Sequence, residues 1–192
     1  PNYAHLDLGT HSWKFAADAP TSPSDIRDQA TTWTDLEWLA GQTKMPIVVK
    51  GIMTGADGRA ATDSGAKAII VSNHGARYLD TTFTTIEVLP EVVEQVDGKA
   101  EVYLDGGIRR GSDIFKALAL GARSVLLGRP LFWGLAVDGE AGVSSMLEIL
   151  RDELAATMGM CGRTTVDSID LDTLGGISPL QSLFDKRDAG RR

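Results

Sequence analysis

Four short apolar runs punctuate the chain, each ending in a polar or glycine-rich cluster. They are Met45-Pro-Ile-Val-Val-Lys50, Ala68-Ile-Ile-Val-Ser72, Glu101-Val-Tyr-Leu-Asp105 and Ser124-Val-Leu-Leu-Gly128. Continuous apolar runs of this length, rather than strict alternation, fit parallel strands buried on both faces. Helical patterns lie between them. Thr34-Asp-Leu-Glu37 reads as a capping box opening a short helix with Leu36 and Leu39 inward. Thr54 to Ser64 reads as a helix stopped by Gly65. A second capping box, Thr84-Thr-Ile-Glu87, opens a helix to about Val96. Ser112 to Leu120 ends at Gly121, and Gly142 to Met158 lines up Val143, Met146, Leu147, Leu150 and Leu154 on one stripe. Strand–helix alternation of this kind predicts an α/β fold built from four parallel βα units. A complete (β/α)8 barrel takes about 250 residues. The pattern therefore predicts about half of such a barrel, or an open sheet of four strands.

The flanks are less regular. Residues 1–33, with Gly9, Pro20 and Pro23, read as an irregular loop or lid, in which Trp13 and Phe15 either cover a ligand or lie on the surface. Residues 163–192 read as a polar tail with one short helical turn at most. The organised part is then 34–162. The chain starts without methionine inside a loop-like stretch, so further sequence before Pro1 is expected.

Composition narrows the class. Of 192 residues, 43% are hydrophobic and 23% charged, a soluble globular balance. No apolar run approaches the roughly 20 residues of a membrane span. No signal peptide or other targeting segment is visible, which leaves cytoplasmic or peroxisomal placement open. A net charge of −7 argues against general nucleic-acid binding. The single cysteine, Cys161, allows no internal disulfide and reads as a small packing residue. With three histidines, a metal site is not expected.

The chemistry concentrates where the strands end, the edge on which α/β folds build sites. Asp105-Gly-Gly-Ile-Arg-Arg-Gly111 precedes a helix, and Gly128-Arg129 repeats the theme one unit later. Glycines admit an anion close to the backbone, a helix start attracts it, and Arg109 or Arg110 adds paired donors. Phosphate sites of barrels commonly use the last two strands, which points to the second half of a barrel. Lys50 offers either a Schiff-base nucleophile or a positive charge for a developing anion. His74 followed by Arg77 looks like a base beside a carboxylate clamp.

At these residues the chain resembles the FMN-dependent 2-hydroxy-acid oxidase/dehydrogenase family. The carriers are Ser72-Asn-His-Gly-Ala-Arg77 with Leu79-Asp80, Pro46-Ile-Val-Val-Lys-Gly51, Leu104-Asp-Gly-Gly-Ile-Arg-Arg-Gly111, Lys116-Ala-Leu-Ala-Leu-Gly121 and Gly128-Arg-Pro130. The similarity runs from about Trp33 to Gly162 and is nearest the glycolate-oxidase-like branch. It implies the C-terminal half of a TIM barrel that binds FMN. It also implies oxidation of (S)-2-hydroxy acids to 2-oxo acids. By resemblance, His74 takes the substrate hydroxyl proton while hydride passes to flavin N5, or removes the α-proton in a rival carbanion route. Arg77 clamps the substrate carboxylate. Lys50 and Ser72 meet the flavin ring system. Asp105, Gly106, Gly107, Ile108, Arg109, Gly128 and Arg129 hold the FMN phosphate.

The resemblance further implies a small 2-hydroxy acid as substrate, oxygen or another electron acceptor, and a homo-oligomer. Tyr78 departs from the glutamine usual after the clamp arginine. The family's earlier strands, with further flavin contacts, substrate tyrosines, a second substrate arginine and the aspartate that orients the histidine, precede this region. The 192 residues alone are therefore expected to be inactive. Two other readings stay open: a Schiff-base aldolase using Lys50, and a non-catalytic half-barrel.

Overall fold

The computed structural model describes residues 31–175. The loop or lid expected at 1–33, with Trp13 and Phe15, falls outside the described residues except for its last three positions. In chain order the elements are α1 (Trp33–Gln42), β1 (Val48–Ile52), α2 (Gly55–Asp63), β2 (Ala68–Val71), α3 (Thr85–Val96), β3 (Glu101–Asp105), α4 (Gly111–Ala119), β4 (Ser124–Leu126) and α5 (Arg129–Met160). The strands form one parallel sheet in sequence order, β1-β2-β3-β4. Four consecutive parallel βα units in this order are half of a (β/α)8 barrel.

The helices start where the sequence supplies acceptors for free amides. Thr54 caps α2, its hydroxyl accepting from the Asp57 N–H at 3.1 Å. The Glu87 carboxylate reaches back to the Thr84 N–H at 2.8 Å and takes the Thr84 hydroxyl hydrogen at 2.6 Å. Those bonds hold the Glu87 carboxyl below its ordinary pKa. The core lies between the sheet and α2, α3 and α4, and includes Ile52, Ile69, Val71, Val88, Leu89, Val92, Val102 and Leu104.

Several sequence expectations change. Only β2 is buried throughout; β1 and β4 border the sheet and are partly exposed, and β3 alternates. An apolar run reports a strand but not whether a neighbour flanks it. β1 starts at Val48, not Met45, and runs to Ile52. Leu36 packs on the core, while Leu39 is exposed. The last helix starts at Arg129 rather than Gly142, with Pro130 in its first turn, where proline needs no amide. It bends sharply at Asp138–Gly139, so that a Cβ on Gly134 would lie 2.7 Å from the Gly142 carbonyl oxygen. Leu147 is exposed, and the inward stripe runs through half-buried Val143, Met146 and Leu154 and buried Leu150.

Cys161 is exposed just past the end of α5, so it is no packing residue. The tail holds two 3-10 turns, Val166–Ser168 and Leu171–Leu174. Ile169 between them is buried with Phe115 and Ala119, and Leu174 packs beside it. Two apolar residues among polar ones carry no period, which is why the sequence pattern reads as tail.

Candidate functional site

Side chains alternate along a strand, and the register sorts them by face. Lys50 pairs across to Ile70, and Ile70 to Tyr103; Ser72 and Asp105 are two positions further on. Lys50, Ser72 and Asp105 therefore share the sheet face turned away from the helices. At the carboxyl ends they meet. The Lys50 ammonium donates to the Ser72 hydroxyl at 2.8 Å and lies 2.8 Å from the Asp105 carboxylate. The Ser72 hydroxyl donates to Asp105 at 2.6 Å. Ser72 is buried, and its oxygen also accepts the His74 N–H at 3.2 Å. This triangle fixes Lys50 as a positive charge on the wall; imine formation would first have to free its amine from both contacts.

The chain after β2 winds through a left-handed turn. His74, Gly75 and Ala76 have φ of 55°, 68° and 59°. Asn73 stabilises it, its side-chain oxygen accepting from the Gly75 N–H at 3.0 Å and its carbonyl from the Ala76 N–H at 3.0 Å. The turn carries the chain back on itself, bringing Tyr78 against His74 with ring centroids 5.1 Å apart.

After β3, Gly106 and Gly107 take φ of 94° and 82°, which only glycine adopts without strain. The start of α4 differs from expectation. The Asp113 carboxylate accepts the Arg109 and Arg110 N–H groups, each at 3.0 Å, and Glu153 on α5 accepts the Gly111 N–H at 2.8 Å. The protein's own carboxylates thus hold amides that were expected to face an anion. What stays available is side-chain charge. Arg109 lies over the Trp133 ring at 4.8 Å and donates to the Ile108 carbonyl at 2.7 Å. Arg129 opens α5 with its guanidinium beside Gly75, where a Cβ would stand 3.1 Å from it. Arg110 does not line the cavity described next.

A cavity of about 280 Å³ lies over these strand ends. Lys50, His74, Arg77, Asp105, Gly106, Gly107, Ile108, Arg109, Gly128 and Arg129 all line it. Ser72, like Arg110, does not; it sits beneath, bonded to Lys50 and Asp105. The cavity also takes in Gly75, Tyr78, Leu126 and Phe132. Phe132 escaped the sequence reading, although the aromatic pair Phe132-Trp133 one turn after Arg129 is a signal for it. Four cations and one carboxylate on a small wall suit an anionic ligand, and the imidazole adds a proton acceptor.

Residues 7–175 match the family described as FMN-dependent dehydrogenase. Glycolate oxidase 3 of Oryza sativa subsp. indica is 50% identical over 168 residues, covering 88% of this chain and 46% of its own length. L-lactate oxidase of Nostoc sp. (strain PCC 7120 / SAG 25.82 / UTEX 2576) is 54% identical over 145 residues, covering 76% of this chain and 40% of its own. Mandelate oxidase, in a crystal structure with benzoyl-formic acid, superposes with a TM-score of 0.70 at 47% identity, over 72% of this chain and 42% of that one. The chain spans less than half the length of each of these relatives.

Proposed function

The chain belongs to the FMN-dependent dehydrogenase family, and from that premise we propose that the protein oxidises a small (S)-2-hydroxy acid to its 2-oxo acid. The observation that carries the reading is the single cavity onto which His74, Arg77, Lys50 and Arg129 all open. The names of the relatives, glycolate, lactate and mandelate oxidases, support the same substrate class.

The residues fit FMN. Arg109 and Arg129 are a pair of guanidinium groups for a phosphate dianion. Gly107, whose absent Cβ would meet nothing within 4 Å, leaves open space beside the backbone. Gly106, Ile108 and Gly128 complete that end of the wall. Asp105 contributes differently from the arginines: its carboxylate faces Lys50 and Ser72, so any contact it makes with a phosphate comes from its backbone. When bound, FMN supplies the two-electron acceptor of the reaction.

The chain's own residues do the rest. Arg77 grips the substrate carboxylate with two parallel donors and sets the α-carbon's orientation. His74 takes the proton from the substrate hydroxyl. Lys50, braced by Ser72 and Asp105, presents positive charge to the flavin ring system. Residues 34–162 are on this reading the cofactor-holding half of the barrel. The test is to load the protein, with the remainder of the barrel present, with FMN, remove oxygen, and follow bleaching of the flavin absorbance with glycolate, lactate and mandelate; the 192 residues alone are expected to stay unbleached. Bleaching by at least one of them is expected, and His74→Gln should keep its FMN while bleaching ~10²–10⁴-fold more slowly. A native protein that holds FMN but is bleached by none of the three overturns the reading.

A further inference from the structure

We propose that Tyr78 is a positioning residue for His74, its ring holding the imidazole in the plane from which it meets a hydroxyl in the cavity. The role rests on the 2-hydroxy-acid reading above. His74 takes a left-handed backbone conformation, φ 55°. Two of its neighbours bear on the ring. On one side lies the backbone of Gly51, where a Cβ would come within 3.0 Å of His74 Cε1; no side chain stands between them. On the other lies the Tyr78 ring, 5.1 Å away between centroids and inclined at 61°. That is an edge-to-face aromatic contact, whose energy depends on the angle between the rings and which therefore restrains rotation.

The turn explains why this neighbour is Tyr78. Left-handed residues at 74, 75 and 76 reverse the chain within one winding, so the side chain four positions on returns over the first. Tyr78 and Arg77 then line the same cavity as His74, one beside the imidazole and the other bringing a guanidinium. The charged groups around this cavity are Lys50, Arg77, Arg109 and Arg129, with Asp105 committed to Lys50 and Ser72. Tyr78 adds a neutral aromatic surface to that set, so its contribution is orientation and not charge.

The test compares Tyr78→Leu with Tyr78→Phe in the FMN-loaded protein with the remainder of the barrel present. Tyr78 is 58% exposed, a position where such changes are tolerated by the fold. The first readout is the imidazole ring signals of His74 in proton–carbon NMR spectra, assigned by their loss in His74→Gln. Tyr78→Leu should move them by removing the ring current, and Tyr78→Phe should leave them near native. The second readout is anaerobic flavin bleaching by a 2-hydroxy acid. Tyr78→Leu should slow the rate at saturating substrate by roughly 3- to 10-fold, the range an edge-on aromatic contact supports. Substrate affinity should stay near native, and Tyr78→Phe should restore the rate. Unmoved His74 signals in Tyr78→Leu overturn the contact. Moved signals with a native rate overturn the positioning role. A loss confined to substrate affinity makes Tyr78 part of the substrate wall instead. A native protein that no 2-hydroxy acid bleaches overturns the underlying reading, a failure visible without any Tyr78 variant.

Discussion

Lys50 and Asp105 come from strands that are not neighbours, β1 and β3, and their charged groups lie 2.8 Å apart across the end of β2. Ser72, the residue after β2, fills the gap and bonds to both. Three strand ends are thereby tied at one point beneath the cavity.

Asp105→Asn should loosen that tie. The carboxylate is 20% exposed and receives one charge-assisted hydrogen bond and one ammonium. An amide keeps the shape and one acceptor but not the charge. The expected loss is about 1–2 kcal/mol, discounted because the Lys50 side chain is more than a third exposed. Urea unfolding of the two proteins at neutral pH measures it.

Arg77→Lys tests the clamp. The ammonium of lysine cannot reproduce a planar two-point grip on a carboxylate, so both binding and alignment suffer. KM for the preferred 2-hydroxy acid should rise about tenfold or more, with kcat falling as well. Steady-state kinetics that show kcat/KM unchanged would remove Arg77 from substrate binding.

The left-handed turn carries strain that one substitution relieves. Ala76 sits at φ 59°, where an L-residue with a Cβ is disfavoured by about 1–2 kcal/mol. Ala76→Gly removes that penalty but adds freedom to the unfolded chain. The net expectation is stabilisation of roughly 0.5–1 kcal/mol, or about 1–4 °C in Tm. Calorimetry decides it; a lower Tm would mean that the turn is unstrained.

Acid should weaken the start of α3. The Thr84 hydroxyl, and after it the Thr84 N–H, hold the Glu87 carboxyl below its ordinary pKa. A group whose folded pKa is depressed stabilises the fold above its unfolded pKa, and that contribution is lost as pH falls through the folded value. Glu87 is only partly buried, so the effect is small. Glu87→Gln should be less stable at pH 7 by roughly 0.3–0.5 kcal/mol. The gap should close as the pH is lowered below the folded pKa of Glu87, followed by urea unfolding across the acid range.

Local signals were enough wherever an element carries its own start and stop. Thr54, Thr84 and Gly65 mark their helices, and β3 lies where its apolar run lies. The strand ends also bring the predicted site residues to one cavity, because in a parallel sheet the order of the chain is the order in space. What escaped was tertiary. Glu153 reaches Gly111 across 42 residues of sequence, and no spacing announces it. Leu39 and Leu147 satisfy helical periodicity yet face outward, since periodicity names a stripe and not its occupant. The helix that opens at Arg129 is legible in the sequence only from Gly142, because the glycines at 134, 139 and 142 mask its first turns.

Those glycines have an inheritance of their own. A Cβ on Gly134 would meet the carbonyl oxygen of Gly142 at 2.7 Å, and a Cβ on Gly142 would meet the carbonyl oxygen of Gly134 at 2.0 Å. Each obstacle is main chain, which no substitution can shrink. A change at either position therefore has no compensating change at the other, and the two can only drift together with the elbow of α5 itself. Arg129, Phe132 and Trp133 ride on one arm of that elbow, while Glu153 grips α4 from the other. The history of this pair is thus bound to that of the cavity, although neither glycine touches it.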